Sequence, residues 1–287
     1  MSPVTKGAAF DIIAVISLKP RALKRPLPHK PPVPRHIRPT VRLFVDRELA
    51  AATVVALDRP QAHYLVRVMR FGVGDGVDLF NGCDGEWHAK IAALGKGEAV
   101  LEVREQLRPQ DRVEDLWLVL APIKSARMSI VVEKATELGI GTMVPVITQN
   151  TAVKRVNLER LRAHAVEAAE QCGRLSVPEV RRPQPLHSLL EDWPRNRLLV
   201  FCDESGPANS LIDVLVDRRA EYCGKAWAIL IGPEGGFAPA EVEAFRRHPF
   251  IVPARLGSRI LRADTAAVAA LSLWQSVVGD WRDGTSD

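Results

Sequence analysis

The sequence predicts an α/β protein in which a C-terminal α/β domain with a mostly parallel sheet follows a small, mostly antiparallel β domain of barrel type. Short strands joined by glycine turns fill the segment from about residue 41 to residue 110. After residue 111, nearly continuous apolar runs alternate with amphipathic helical patterns, which is typical of a parallel sheet covered on both faces. Residues 1–40 are rich in proline and basic side chains, which favours a disordered tail.

The positive charge of the chain is concentrated in that tail. The 287 residues include 39 Lys and Arg against 34 Asp and Glu, for a formal net charge of +5. Residues 1–40 hold eight basic side chains and one acidic side chain, so the remaining chain carries a slight net negative charge. The overall basicity therefore indicates little about the partners of the folded part.

Deleting residues 1–39 is expected to leave the fold intact. The segment from Pro20 to Pro39 contains seven prolines and few apolar residues, too few for a packed core. Thermal unfolding of the shortened chain, followed by circular dichroism, should remain cooperative. A loss of cooperative unfolding would contradict the boundary at about residue 40.

Composition disfavours secreted and membrane-spanning proteins. The apolar patch AAFDIIAVISL is short, is interrupted by Asp11 and lacks a cleavage pattern, so a secretory signal is not expected. No window approaches the roughly 18 to 20 apolar residues of a membrane span. The four cysteines lie far apart with no C-x-x-C pair, which predicts reduced, buried thiols in a cytoplasmic protein. They are Cys83, Cys172, Cys202 and Cys223.

Five strands and one helix are predicted in the N-terminal part. The strands are VRLFV, ATVVAL, GVDLFNG, EWHAKIAAL and EAVLEVREQL, with hairpin turns at CDGE and GKGE. The helix follows Asp58, which can cap it, and has Pro60 in its first turn. Tyr64, Val68 and Phe71 recur at helical spacing and predict its apolar face.

The C-terminal part alternates strands and helices. The predicted strands are LWLVLAP, TMVPVIT, RLLVFCD, WAILIGP and FIVPARLG. One helix, SARMSIVVEKATELG, has a face of Met128, Val131, Val132, Ala135 and Leu138, with Ser125 as cap and Gly139 at its end. A second helix, NLERLRAHAVEAAEQCG, has a face of Leu161, Ala165, Ala168 and Cys172. Ligands of such sheets bind at the carboxyl ends of the strands.

The loop LIGPEGGF, Leu230 to Phe237, lies at such a strand end. Its spacing fits neither a P-loop nor a dinucleotide fingerprint. Pro233 removes a backbone donor and Glu234 adds a negative charge, so a phosphate ligand is disfavoured. The alternative is a tight turn in which Glu234 caps the helix that begins at Pro239.

A second glycine loop follows the next strand, in RLGSRILRADTAAVAALSLWQ from Arg255 to Gln275. Two such loops at the ends of consecutive strands define one pocket. Their backbone groups can bind the edge of an adenine, while apolar residues cover the ring. The pocket suits a cofactor with a purine and a cationic centre better than one with a pyrophosphate.

The two loops, LIGPEGGFAPAEVEAF and LGSRILRADTAAVAAL, resemble the signature of the RsmE family of 16S rRNA methyltransferases, within the SPOUT superfamily of trefoil-knotted enzymes. The resemblance extends upstream through HYLVRVMRFGVGDGVDLFNG, PIKSARMSIVVEKATELGIGTMVPV and AAEQCGRLSVPEV, and covers about residues 41 to 278. It implies a PUA-like β-barrel RNA-binding domain at 41–110 and a SPOUT methyltransferase domain with a C-terminal knot at 111–287.

The resemblance implies S-adenosylmethionine as cofactor and methylation of N3 of a uridine in 16S rRNA, within the small ribosomal subunit. It also implies a cytoplasmic homodimer that uses neither a metal nor a membrane. Carried over to this sequence, the cofactor-binding residues are Ile231, Gly232, Pro233, Glu234, Gly235, Gly236, Leu256, Gly257, Ile260, Leu261, Arg262, Thr265 and Ala266.

Arg262 and Glu234 are the expected catalytic residues. Arg262 either stabilises the developing uracil anion or pairs with a phosphate or carboxylate. Glu234 either accepts the N3 proton or interacts with the sulfonium and caps a helix. Asp264 is expected to be the cap of its helix. No residue is assigned securely as general base.

RNA contacts are expected from basic and polar residues within the matched blocks, namely Arg42, His63, Arg67, Arg70, Lys124, Arg127, Gln171 and Arg174. One loop departs from the family pattern. Family members usually carry an arginine and a hydroxyl residue after VPV, whereas this chain has ITQNTAV, so Gln149 and Asn150 replace the expected charge. The basic tail is also outside the pattern, and is either an extra RNA-binding arm or sequence upstream of the true start.

Two other functions remain open from the sequence. The chain is either another SPOUT RNA methyltransferase with a different target, or a non-catalytic RNA-binding or ribosome-assembly factor. The intact glycine loops argue against the second, because a lost cofactor would leave them without a constraint.

Overall fold

The computed structural model describes residues 41–153, 155–203, 208–222 and 224–282. The predicted tail at residues 1–40 and the predicted thiol of Cys223 lie outside these residues. Within them, none of the helices combines the length and the apolar character that a membrane crossing requires.

The N-terminal part is a five-stranded sheet. Its strands are β1 (Arg42–Phe44), β2 (Val54–Ala56), β3 (Gly76–Phe80), β4 (Glu86–Gly95) and β5 (Glu98–Arg108). They are arranged in the order β1-β3-β4-β5-β2, with every neighbouring pair antiparallel except β1 and β3. The pairing of β4 with β5 shifts register at three places, which bends the long hairpin around a single apolar core. The small, mostly antiparallel β domain is confirmed.

The helix between β2 and β3 begins as predicted but then changes its winding. Asp58 caps α1 (Arg59–His63), accepting a hydrogen bond of 2.8 Å from the backbone N–H of Gln61. The next five residues, Tyr64–Val68, form a π-helical turn. This turn rotates Val68 into solvent, where it is 59% exposed, and buries Leu65 instead. The predicted place of Val68 on the apolar face is wrong, because that face assumed the α-helical period.

The C-terminal part is an eight-stranded parallel sheet flanked by helices. Its strands are β6 (Leu116–Leu120), β7 (Thr142–Ile147), β8 (Glu179–Val180), β9 (Gln184–Pro185), β10 (Arg197–Cys202), β11 (Asn209–Ser210), β12 (Ala226–Ile231) and β13 (Ile251–Arg255). The helices are α2 (Ser125–Glu137), α3 (Leu158–Cys172), α4 (Leu186–Glu191), α5 (Leu211–Tyr222), α6 (Pro239–Arg246) and α7 (Ala263–Val277). A 3₁₀ turn, Asp280–Arg282, follows α7.

The strand order is β11-β13-β10-β12-β6-β7-β8, and β9 pairs with β7. Every pairing in this sheet is parallel. The central strands β6 and β12 are buried along their whole length, as continuous apolar strands covered on both faces must be. The α/β domain with a mostly parallel sheet is therefore confirmed.

The helix ends follow the sequence closely, with two corrections. The Asn157 side chain caps α3, and Gly139 and Gly173 close α2 and α3 with φ angles of 80° and 83°. Ser125 is not the cap of α2, because Lys124 holds the cap position without a side-chain bond. Cys172 is exposed at the last residue of α3, while Ala169 completes the buried face.

The described cysteines are free, as predicted, but they are not all buried. Cys83 and Cys172 are exposed, since each lies where its element gives way to a turn. Cys202 is half-buried at the end of β10, and desolvation raises the pKa of its thiol to about 12. The prediction of buried thiols is wrong for the first two.

Two arginines of the N-terminal sheet satisfy the carboxyl end of α3. Arg42 donates to the carbonyl oxygens of Ala169, Glu170 and Arg174, each at 2.9 Å, and Arg108 donates to that of Gly173 at 2.8 Å. The last carbonyls of a helix have no partner within the helix, so these bonds replace the missing ones. The sheet therefore acts as a cap for α3.

Glu86 holds the two arginines in place. Its two carboxylate oxygens each accept the Nε–H of one arginine, Arg42 on one side and Arg108 on the other. Burial alone raises the pKa of this carboxyl, but the hydrogen bonds from Arg108 and Arg42 outweigh burial and lower it below its ordinary value. Glu86 is therefore ionised at neutral pH.

Candidate active site

The two glycine loops lie at one edge of the parallel sheet. The first loop, residues 232–237, follows β12, and the second loop, residues 256–262, connects β13 to α7. Both strands run parallel to β10, which lies between them, so their carboxyl ends meet at the same edge. This is the edge at which ligands of parallel α/β sheets bind.

The first loop is a tight turn packed on the core. The N–H of Gly236 donates to the carbonyl oxygen of Pro233 at 2.9 Å, and Gly236 has a φ of 66°, which favours glycine. The ring of Phe237 lies over Gly232, where a Cβ atom would come within 2.6 Å of it. Gly232 therefore allows the chain to fold back on itself, and Phe237 anchors the loop to buried Phe201 and Phe245.

Glu234 lies at the tip of this turn with its side chain exposed. Among the described residues it has neither a hydrogen bond nor an ion pair. The capping alternative for Glu234 is not what the structure shows, because Glu241 occupies that role. The Glu241 carboxylate accepts the N–H of Ala238, immediately before α6, at 2.9 Å.

The second loop is more open than the first. Gly257 has a φ of 118°, and Ile260 is 80% exposed. Arg262 is the N-cap residue of α7, and its exposed guanidinium has no partner among the described residues. Asp264 lies inside the first turn instead of at the expected cap position, and accepts the N–H of Thr265 at 2.9 Å.

Gly236 and Gly257 face open space. A Cβ atom placed on either glycine would meet no atom within 4 Å. The backbones of both loops therefore have unfilled space beside these two glycines. Ala263, Ala266 and Ala267, on the helix that follows the second loop, are small and buried. Backbone with unfilled space beside it can be approached closely by a ligand.

The sequence-predicted cofactor residues all fall on these two loops, the last residue of β12 and the first turn of α7. Only the end of β10 lies between the residues that follow β12 and those that follow β13. The structure thus brings the predicted residues to a single edge, and their contact with a cofactor remains a prediction.

Basic side chains gather beside this edge, at the start of α2. Lys124 is exposed there, and the Nε atom of Arg127 lies 3.9 Å from an Asp264 carboxylate oxygen at the start of α7. Arg160 of α3 reaches the same place, with its Nη1 atom 3.3 Å from the Ser125 hydroxyl. Arg160 could not be predicted from the sequence, because an arginine in the first turn of a helix resembles any solvated surface residue.

The other predicted RNA contacts divide into two groups. His63, Arg67, Arg70 and Gln171 are exposed on the surface. Arg42 and Arg174 have a different role, because their guanidinium groups are used within the chain. Arg174 donates to the carbonyl oxygens of Thr136 and Ile140 at 2.8 and 2.6 Å. Arg42 donates to carbonyl oxygens at the end of α3.

No cluster of three or more His, Cys, Asp or Glu side chains within the described ranges is arranged to hold a metal ion. The groups that the two loops present are their backbone, apolar side chains, Glu234 and arginines.

Two family models match nearly the whole described chain. The model described as RNA methyltransferase domain matches residues 109–275, more than half of the chain. The model described as RNA methyltransferase PUA domain matches residues 57–104. The ribosomal RNA small subunit methyltransferase E of Rickettsia conorii is 33% identical over 233 residues, which are 80% of this chain and 93% of the relative. The chain belongs to the family of ribosomal RNA small subunit methyltransferase E.

Other members of the methyltransferase E family support this assignment. The protein of that name from Synechocystis is 28% identical and covers 94% of this chain and 88% of its own length. The crystal structure of a ribosomal RNA small subunit methyltransferase E from Neisseria gonorrhoeae, bound to S-adenosyl methionine, has a TM-score of 0.70 at 25% identity. It covers 83% of this chain and 97% of its own.

A third comparison has the same fold. The putative methyltransferase of Legionella pneumophila, solved in complex with its cofactor S-adenosylmethionine, has a TM-score of 0.69 at 27% identity. It covers 84% of this chain and 98% of its own. The PUA domain at the N-terminus and the α/β methyltransferase domain are thereby established for this chain.

Replacing Gly235 by valine is expected to abolish binding of S-adenosylmethionine while the fold is kept. A Cβ atom at Gly235 would lie 3.3 Å from the Cβ atom of Asn150, so the branched side chain must push the loop out of place. Calorimetry of the purified variant measures the loss. Gly72→Val is the matched control, because a Cβ atom there meets only the Asp75 carboxylate, at 4.0 Å. Undiminished affinity of Gly235→Val would contradict the assignment of this loop to the cofactor.

Proposed function

We propose that the protein methylates N3 of a uridine in 16S rRNA, using S-adenosylmethionine as the methyl donor. The observation that carries the proposal is the pair of glycine loops at one sheet edge, in a chain of the methyltransferase E family. Two relatives of the same fold were solved with S-adenosylmethionine bound. The name of the family supports small-subunit rRNA as the substrate. The resemblance in the loop sequences supports the N3 atom of a uridine as the methylated position.

The residues of the two loops fit this cofactor. The unfilled space beside Gly236 and Gly257 supports binding of the adenine edge to backbone donors and acceptors of the loops. Ile260, 80% exposed without a cofactor, gains an apolar partner when a purine ring covers it. Glu234 supplies an unpaired negative charge for a cationic centre, which a phosphate would not tolerate.

When bound, the cofactor supplies a methyl group made electrophilic by its sulfonium. The chain must then orient the uridine and help N3 lose its proton. Arg262 is the candidate to stabilise negative charge on the uracil oxygens. Its guanidinium, exposed at the start of α7 without a partner in the described part of the chain, supports this role. Glu234 is the candidate to hold the proton or the sulfonium.

The RNA is expected to lie across the basic side chains beside this edge. At the start of α2, the RNA backbone is expected to contact Lys124, Arg127 and Arg160. On the PUA domain, the contact is expected to extend to His63, Arg67 and Arg70. Gln171 is the remaining proposed contact. The target lies within the small ribosomal subunit, so the proposal places the protein in the cytoplasm.

The proposal also includes a homodimer and a C-terminal trefoil knot. Both follow from the resemblance to the knotted methyltransferases. The order β13-β10-β12-β6, in which the late strand β12 lies between two earlier ones, is consistent with such a knot. Hydrophobic periodicity cannot predict a knot, because connections between elements normally do not pass through a loop of the chain.

Two measurements test the proposed function. Calorimetry with S-adenosylmethionine should show binding, and its absence would eliminate every methyltransferase activity for this chain. Nucleoside mass spectrometry of 16S rRNA from a deletion strain should show loss of N3-methyluridine. Cofactor binding together with unchanged N3-methyluridine would assign the protein to a different RNA target.

A further inference from the structure

The loop that follows β7, residues 148–151, lies against the first glycine loop. The Nδ2 atom of Asn150 donates to the carbonyl oxygens of both Gly235 and Gly236, at 3.2 and 3.1 Å. At this loop the sequence departs from the family pattern, since Asn150 and its neighbour Gln149 stand where a positive charge was expected. The structure turns the side chain of Asn150 towards the glycine loop.

Asn150 is held by its neighbours. Buried Thr148 and Thr151 fix the loop through a hydroxyl–hydroxyl bond of 2.8 Å and through the N–H of Thr148, which donates to the Thr151 hydroxyl at 2.9 Å. The N–H of Gln149 donates to Glu241, whose other oxygen accepts the N–H of Ala238. One carboxylate therefore ties the Asn150 loop to the segment that follows the glycine loop.

The two bonds from Asn150 determine the orientation of two peptide planes. In a trans peptide the C=O and the next N–H point in opposite directions. Holding the carbonyls of Gly235 and Gly236 therefore directs the N–H groups of Gly236 and Phe237 away from Asn150. The first donates to Pro233, and the second has no acceptor among the described residues.

This anchoring matters because the anchored residues are glycines. Glycine has more backbone freedom than any other residue, so an unanchored Pro-Glu-Gly-Gly turn must lose that freedom when a ligand binds. An external donor that orders the turn beforehand lowers this cost. The close approach of the Asn150 Cβ atom to Gly235 further restricts the turn.

We propose that Asn150 is a positioning residue, which orders the first glycine loop for cofactor binding and does not contact RNA. The inference rests on the proposed function, because it takes S-adenosylmethionine as the ligand of that loop. It predicts that the affinity for the cofactor depends on the side-chain amide of Asn150 and not on the side chain of Gln149.

The experiment compares wild type, Asn150→Ala, Asn150→Asp and Gln149→Ala in the full chain. Asn150→Ala is expected to raise the Kd for S-adenosylmethionine about tenfold, as expected for the loss of two hydrogen bonds. Asn150→Asp should weaken binding at least as much, since a carboxylate replaces the donor and faces two carbonyl oxygens. Gln149→Ala should leave the Kd unchanged, because only the backbone N–H of Gln149 makes a described contact.

Steady-state kinetics on small-subunit particles separate positioning from RNA binding. For Asn150→Ala, the KM for S-adenosylmethionine should rise about tenfold, while kcat and the KM for the particle stay within about twofold of wild type. Thermal unfolding of the same samples shows that the variants are folded. A wild-type Kd in Asn150→Ala, or a raised KM for the particle with an unchanged Kd, would overturn the inference and leave the proposed function standing. Absence of binding by the wild type would overturn both.

Discussion

Replacing Arg262 by alanine is expected to lower kcat for methyl transfer by about 10²- to 10³-fold, the range found for loss of one preorganised charge at a reacting centre. Arg262 lies at the N-cap of α7, with its exposed guanidinium free of partners in the described part of the chain. In the proposed reaction, such a free cation is available for the charge that develops on uracil as N3 loses its proton.

The measurements are the single-turnover rate of methyl transfer at saturating cofactor and RNA, and the steady-state kcat and KM for RNA. Arg259→Ala is the matched control, because Arg259 lies in the same loop, is exposed and makes no described contact. Its kcat should stay within about threefold of wild type. A raised KM for RNA with unchanged kcat in Arg262→Ala would instead assign Arg262 to a phosphate. Affinity for S-adenosylmethionine should be retained in either case, because the family resemblance implies that the cofactor is held by backbone groups of this loop.

Replacing Arg42 by alanine is expected to lower the free energy of unfolding by about 3 kcal/mol, or roughly 10 °C in Tm. The Arg42 side chain is 14% exposed. Its removal leaves buried Glu86 with one arginine, and it leaves two carbonyls of α3 and the carbonyl of Arg174 without their donor. Urea unfolding measures the loss. Arg104→Ala on the same sheet removes an exposed ion pair with Glu102 and should change stability by less than about 1 kcal/mol.

The Arg42 effect should depend on pH. The folded-state pKa of Glu86 is lowered, so its ionised form stabilises the protein at neutral pH. That contribution is present above the ordinary glutamate value of 4.5 and is lost as the pH falls through the lower folded value. The stability difference between wild type and Arg42→Ala should therefore narrow in acid. An equal or larger difference in acid would contradict the role of Glu86.

The role of Arg42 changes how the N-terminal domain is understood. From sequence it is one basic residue among several expected to bind RNA, whereas in the structure it caps a helix of the catalytic domain. The PUA domain is thus tied to α3 through Arg42, Arg108 and Glu86. This arrangement fixes the exposed residues His63, Arg67 and Arg70 relative to the methyltransferase domain.

Several elements could be predicted because their causes are local. The buried strands β6 and β12 are continuous apolar runs, and Asn157 and Gly173 mark the two ends of α3 by their own chemistry. The two-residue strands β8, β9 and β11 could not be predicted, since so short a segment has no period to detect. The π-helical turn at Tyr64–Val68 likewise leaves no pattern distinct from that of an α-helix.

The sequence by itself determined the fold class and the two glycine loops, and it predicts that Pro233 and Glu234 disfavour a phosphate ligand. These follow from hydrophobic periodicity and from the chemistry of single residues. Only the tertiary structure decided which polar side chains are free and which are hydrogen-bonded within the chain. Arg42, Glu241 and Asn150 each act on groups distant in the chain, and a hydrogen-bond partner 85 or more residues away has no signal in local sequence.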